Sequence, residues 1–129
     1  MALIDEIYDL DVVGVAPVSL NNTHAHGTSI DMSLASDVAF IFQMGVAHDS
    51  AVLSCEIWEG ETTGAVDTRI TGKVVAFAGT EDGTFKVLEV NEAELTAAHK
   101  WVQCYIVETG SQAALVACAC VIKKKYSNV

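Results

Sequence analysis

Between Thr28 and Glu59 the chain alternates apolar and polar positions in three runs separated by two short polar breaks. Ile30, Met32 and Leu34 share one face of an extended chain. Val38, Phe40, Phe42 and Met44 share a face in the second run, and Leu53, Cys55 and Ile57 in the third. A period of two over segments this short predicts half-buried strands. The breaks, Ala35–Asp37 and His48–Ser50, carry Ser and Asp, which favour turns. The three runs read together as a β-meander.

The same pattern extends in both directions. Val12 to Leu20 is an apolar run interrupted by Gly14 and by Pro17, the only proline, which fits an edge or irregular strand. Beyond the Gly60–Gly64 loop, Lys73–Ala78 and Thr84–Val90 read as strands joined at Asp82-Gly83, a hairpin signal. Asn91 followed by Glu94 is a helix-capping pair, so a short helical turn is predicted near 92–98. Lys100–Thr109 places Val102, Cys104 and Ile106 on one face; Ala113–Ile122 is apolar on both faces, as a central or covered strand is. Turn signals recur every 8–12 residues. The predicted fold is all-β, an antiparallel β-sandwich of jelly-roll or Ig-like type with about 7–9 strands and extended terminal arms. Residues 1–22 are expected to form an N-terminal arm and first edge strand, 23–122 the sandwich, and 123–129 a basic C-terminal tail leaving the sheet. Both ends are expected to dock, on neighbouring chains.

At 129 residues, with 51% hydrophobic content, the chain is long enough for one well-filled core. No apolar run approaches the roughly 20 residues of a membrane span, and the acidic N-terminus lacks the features of a signal peptide, so a cytoplasmic protein is expected. Acidic residues outnumber basic ones 17 to 7, for a net charge of −10. Such a surface repels phosphate backbones, and nucleic-acid binding is not expected. Cys55, Cys104, Cys118 and Cys120 show no metal-type spacing; without an export signal they read as small buried thiols rather than disulfides.

Little in the sequence assembles catalytic chemistry. A nucleophile needs a base held by a third group, and no Gly-x-Ser-x-Gly elbow is present. The carboxylates Glu59 and Glu61, and Glu92 and Glu94, read as solvated loop acids. Gly72-Lys73 and Gly79-Thr80 lack the rest of a phosphate loop. His24 and His26, two apart, are the candidate metal ligands. They match one element of a cupin site, with Asp31, His48 and His99 as further donors, but no second cupin motif follows. By strand parity Trp58 and Trp101 point away from the aliphatic faces, as interface anchors do. Ile4, Ile7 and Tyr8 of the arm, and Lys123, Lys124 and Lys125 at the basic end, complete the expected contact residues.

The order Ser29-Ile30-Asp31-Met32, Ser36 through Gly45, Cys55-Glu56-Ile57-Trp58-Glu59, Val87-Leu88-Glu89-Val90 and Trp101 through Ile106, closed by Ala113–Ile122 and a basic end, resembles the small virion proteins of tailed bacteriophages of the head decoration, or cement, type. The resemblance runs over roughly residues 28–125. It implies a non-enzymatic β-sandwich on the outer surface of the capsid, made in the host bacterial cytoplasm. Its partners would be the major capsid protein and copies of itself as a dimer or trimer, with no cofactor, nucleic acid or membrane. The alternatives are a neck, tail or fibre-associated virion subunit, a carbohydrate- or ligand-binding sandwich module using both tryptophans, and a cupin-like metal enzyme.

Overall fold

The computed structural model describes residues 8–9 and 13–125, and these are almost entirely β. The strands are β1 (Tyr8–Asp9), β2 (Val13–Leu20), β3 (His24–His26), β4 (Ile30–Asp31), β5 (Ala35–Ala47), β6 (Val52–Gly60), β7 (Thr68–Ala78), β8 (Phe85–Asn91), β9 (Trp101–Glu108) and β10 (Ala114–Lys124). A 3₁₀ turn, Glu92–Glu94, precedes β9. Asn91 accepts from the Ala93 N–H while Glu94 reaches back to the Asn91 N–H, the reciprocal cap predicted from the sequence.

All pairing is antiparallel and divides the strands into two sheets. In the first, β10 lies between β5 and the β1/β2 edge, and β8 pairs the far side of β5. In the second, β9 lies between β6 and the β3/β4 edge, and β7 pairs β6. Thus β6 pairs β7, β5 pairs β8, β3 and β4 pair β9, and β2 pairs β10. This is a long hairpin rolled up into two sheets, the jelly-roll topology.

That topology corrects the meander. β4, β5 and β6 follow one another in sequence, yet β4 and β6 flank β9 in the second sheet while β5 lies in the first. Each run does turn its apolar side inward, because both sheets bury one face; parity alone does not say which strand neighbours which. The first run is also shorter than predicted: Ile30 and Met32 are buried, but the chain turns at 32–34 and leaves Leu34 65% exposed. Likewise Asp82-Gly83 joins no hairpin. Gly83, at φ 75°, turns the chain from β7 in one sheet to β8 in the other.

Between the sheets lie Met32, Val38, Phe40, Phe42, Met44, Leu53, Ile57, Phe77, Val90, Val102 and Ile106, each no more than 2% exposed. Cys55, Cys104, Cys118 and Cys120 face the same interior as free thiols. Large side chains fill this space, so the roll is a packed core rather than a container. The basic end does not leave the sheet at Lys123: β10 runs through Lys124, and the Lys125 N–H still donates to the Leu34 carbonyl. Residues 126–129 and the arm residues Ile4 and Ile7 lie outside the described residues. Tyr8 pairs Lys123 through β1.

Candidate interaction faces

The outer face of the first sheet is set by registers on either side of β5. Across β10, β5 and β8 the rows are Ala117–Gln43–Phe85, Ala119–Ile41–Val87, Val121–Ala39–Glu89 and Lys123–Asp37–Asn91. Most of these positions are apolar, and among the described residues no helix or loop covers them. Phe85 is 64% exposed, Val87 43% and Leu115 41%. Pro17, Gln43, Phe85, Leu115 and Ala117 line a shallow groove of about 300 Å³ at one end. That is the lower limit for a small-molecule pocket, and its walls carry no converging charged groups.

The outer face of the second sheet has a different chemistry. Trp101, Gln103 and Tyr105 of β9 alternate with Val102, Cys104 and Ile106, which are buried. Trp58 stands opposite Gln103, and Glu56 opposite Tyr105. Both tryptophans therefore do point outward, half-buried, and onto one face. Trp58 and Tyr105 have ring centroids 5.4 Å apart, and Tyr105 stacks on His24 at 5.1 Å. Glu56 underpins the row: its carboxylate accepts from Trp58 Nε1 at 3.0 Å, Arg69 Nη1 at 3.2 Å and Ser54 Oγ at 3.2 Å.

His24 and His26 belong to this face as well. On β3 it is Ala25 that turns inward and the two imidazoles that turn out. A cupin-type site needs them inside the roll, and one residue of parity puts them outside. His24 stacks on Tyr105, His48 Nδ1 accepts from the Ser50 N–H, and Asp31 is engaged by Ser33 at 2.6 Å, which holds its carboxyl below the usual range. His99 sits against Glu59. Among the described residues no three His, Cys, Asp or Glu side chains converge on a point that could hold a metal ion.

Glu59 is not the solvated loop carboxylate expected, and Glu108, which the sequence reading passed over, is buried as well. Glu59 ends the inward row Leu53-Cys55-Ile57 and is 3% exposed. Its Oε1 accepts from the Thr96 N–H at 2.6 Å and lies 2.7 Å from His99 Nδ1, tying the 92–99 connection to β6. Glu108 ends the inward row Val102-Cys104-Ile106 and is 1% exposed. Its Oε1 accepts the N–H groups of Asn22 and Gln112, its Oε2 those of Val52 and Gly110, at 2.7–3.2 Å. Burial pushes this carboxyl up, but the four backbone N–H groups outweigh it and bring the pKa down to about 2. The signal was present in the sequence: an acid in phase with the core, with a glycine one or two residues on (Gly60 after Glu59, Gly110 after Glu108). Both carboxylates act as fasteners for loops.

No protein-family model matches this chain, and no curated protein is significantly similar to it. Solved structures do match. The PBSX exported protein XepA aligns over 100% of this chain and 41% of its own, with a TM-score of 0.63 and 13% identity. A chain of the Triatoma virus empty capsid aligns over 99% of this chain and 96% of its own, with a TM-score of 0.59 and 12% identity. A subunit of Bacillus endospore appendages, described as disulfide-linked pili, covers 92% of this chain and 87% of its own at TM-score 0.56 and 13% identity. The likeness is one of fold alone, shared with a viral capsid chain, an exported protein and a pilus subunit.

Proposed function

We propose that this protein is a non-enzymatic structural subunit of a bacteriophage particle, a decoration or cement protein that binds the capsid lattice through the outer face of its first sheet. The supporting observation is that face: largely apolar, built of Ala39, Ile41, Phe85, Val87, Leu115, Ala117, Ala119 and Val121, and uncovered among the described residues. An apolar patch of a few hundred Å² is the size of a typical monomer's largest patch, and such a patch is often functional. The filled interior and the capsid-like fold of its neighbours agree with adhesion as the task.

Size argues for a repeated partner. With strands about 4.8 Å apart and a rise near 3.4 Å per residue, three strands over seven residues span on the order of 300–400 Å². Two such faces pressed together bury about 700 Å², short of the roughly 1,200 Å² at which specific interfaces begin. One face of this size holds a second copy weakly. On a shell, where arm, edge and neighbouring copies act together, weak contacts multiply. The test is uptake by stripped or expanded capsids of the source phage. Wild-type protein is expected to bind to a fixed stoichiometry, and an Ile41→Asp variant of unchanged melting temperature is expected not to. Failure of wild type to bind any such shell overturns the role; equal binding by the variant overturns the face.

One observation favours a second reading. Trp101, Trp58 and Tyr105 share the opposite outer face with fixed polar groups, an arrangement that can stack a sugar chain. Glycan binding lost on Trp101→Ala would select this reading over attachment to a shell.

A further inference from the structure

Three of the four buried thiols gather at one closed edge of the roll, and they do so across the two sheets. Cys104 comes from β9 in the second sheet, Cys118 and Cys120 from β10 in the first. β9 and β10 are joined by the arch 109–113, and Cys104 and Cys118 each stand seven residues from its midpoint, Ser111. They are therefore at matching heights on the two legs, and both point inward.

Packed sheets normally stand about 10 Å apart, too far for a disulfide, which needs Cα atoms within about 7 Å. Here the edge is pinched. The Thr28 N–H donates to the Gly14 carbonyl at 3.2 Å, a backbone bond running from the β3 side to β2, and the Gly27 N–H donates to the Cys104 carbonyl at 2.9 Å. Glycine makes this approach possible. A Cβ on Gly27 would stand 2.3 Å from the Gly14 oxygen and 2.6 Å from Cys104 Sγ; one on Gly14 would stand 3.0 Å from the sulfurs of both Cys118 and Cys120. The three sulfurs thus surround one pair of touching glycines. The neighbouring Cys104 and Cys120 thiols, together with burial, push the Cys118 thiol upward, away from thiolate, while Cys118 draws Cys120 downward.

We propose that Cys104 and Cys118 are a modification site, an inter-sheet disulfide that forms as the chain folds in the presence of an oxidising small-molecule disulfide, before burial closes over both thiols. One of the two, as thiolate, attacks the small disulfide, releases one small thiol and forms a mixed disulfide. The other then displaces the second small thiol. The pair loses two electrons and two protons, and the small disulfide takes them up as two thiols. In a reducing cytosol all four cysteines stay free; outside it the bond staples one sheet to the other across a loop of about 15 residues, which restricts the unfolded chain. This inference does not depend on the capsid-binding role.

The experiment is refolding of the full chain from urea in a buffer of oxidised and reduced glutathione, followed by intact mass and a non-reducing peptide map. Cleavage after Glu108 separates Cys104 from Cys118 and Cys120. The expected product is a monomer short of two hydrogen atoms, with the Cys104 fragment linked to the fragment carrying Cys118. The linkage should persist in Cys120→Ala and vanish in Cys104→Ala and Cys118→Ala. Its melting temperature should fall by about 5–10 °C on reduction. Four free thiols after refolding, a link between Cys118 and Cys120, a link through Cys55, or covalent dimers would each overturn the assignment. Cys118 and Cys120 stay on one fragment, so tandem mass fragmentation of the linked wild-type peptide between Cys118 and Cys120 assigns the partner even if an alanine variant fails to fold, and a link from Cys104 to Cys120 would overturn the assignment.

Discussion

Replacing Glu108 by glutamine changes one atom and should destabilise the roll markedly. The carboxylate closes one end of the sandwich by collecting four backbone donors from three separate segments: Asn22 between β2 and β3, Val52 at the start of β6, and Gly110 and Gln112 in the arch. Each oxygen accepts two of them. An amide offers one oxygen, so two N–H groups find a partner and the other two face an NH₂ that cannot accept. Hydrogen bonds to a charged group contribute about 1.5–3 kcal/mol each, and an unmet buried donor costs about 1–3 kcal/mol. The arch can shift and admit water, so the lower part of that range applies, and about 3 kcal/mol is expected for Glu108→Gln. In a chain of this length that is a fall of roughly 10 °C in melting temperature.

The same residue carries a pH signature. Its folded pKa, about 2, lies below its ordinary value of 4.5. Stability from a depressed carboxyl is fully present above the unfolded pKa and is lost as pH falls through the folded one. The window is therefore about pH 4.5 down to 2, and its ceiling is about 3 kcal/mol. Urea unfolding at pH 7 and pH 2.5, for wild type and Glu108→Gln, reads both effects. The variant should be weaker at pH 7 and closer to wild type at pH 2.5. A variant within about 0.5 kcal/mol of wild type at pH 7, or one with an unaltered acid slope, would refute the reasoning.

Two further outcomes follow from named contacts. Gly27→Ala sets a methyl group 2.3 Å from the Gly14 carbonyl oxygen, which is backbone and cannot rotate away; overpacking of this kind costs at least about 1–3 kcal/mol, to be read as a lowered urea midpoint with an unchanged slope. Glu59→Leu leaves the Thr96 N–H and His99 without their acceptor; a loss of about 2–4 kcal/mol and faster tryptic cleavage at Lys100 are expected, and neither should occur if the 92–99 connection is held by its ion pairs Lys73–Glu94 and Lys125–Glu92 alone.

Alternation along the chain determined a good deal by itself. It placed Val38, Phe40, Phe42, Met44, Leu53, Cys55, Ile57, Val102, Cys104 and Ile106 inside and both tryptophans outside, because a strand half-buried in any sandwich obeys the same period of two. The Asn91–Glu94 cap was legible too, since its partners lie within one turn. Pairing was not. Parity is identical for a meander and a jelly roll, and only the closing of β4 and β6 around β9, and of β10 around β5, decided between them. The same long-range folding turned His24 and His26 outward, gave Glu59 and Glu108 partners up to 86 residues away, and gathered Cys104, Cys118 and Cys120 around Gly14 and Gly27. Local sequence sets which way a side chain faces. What it meets there depends on chain segments far removed along the sequence.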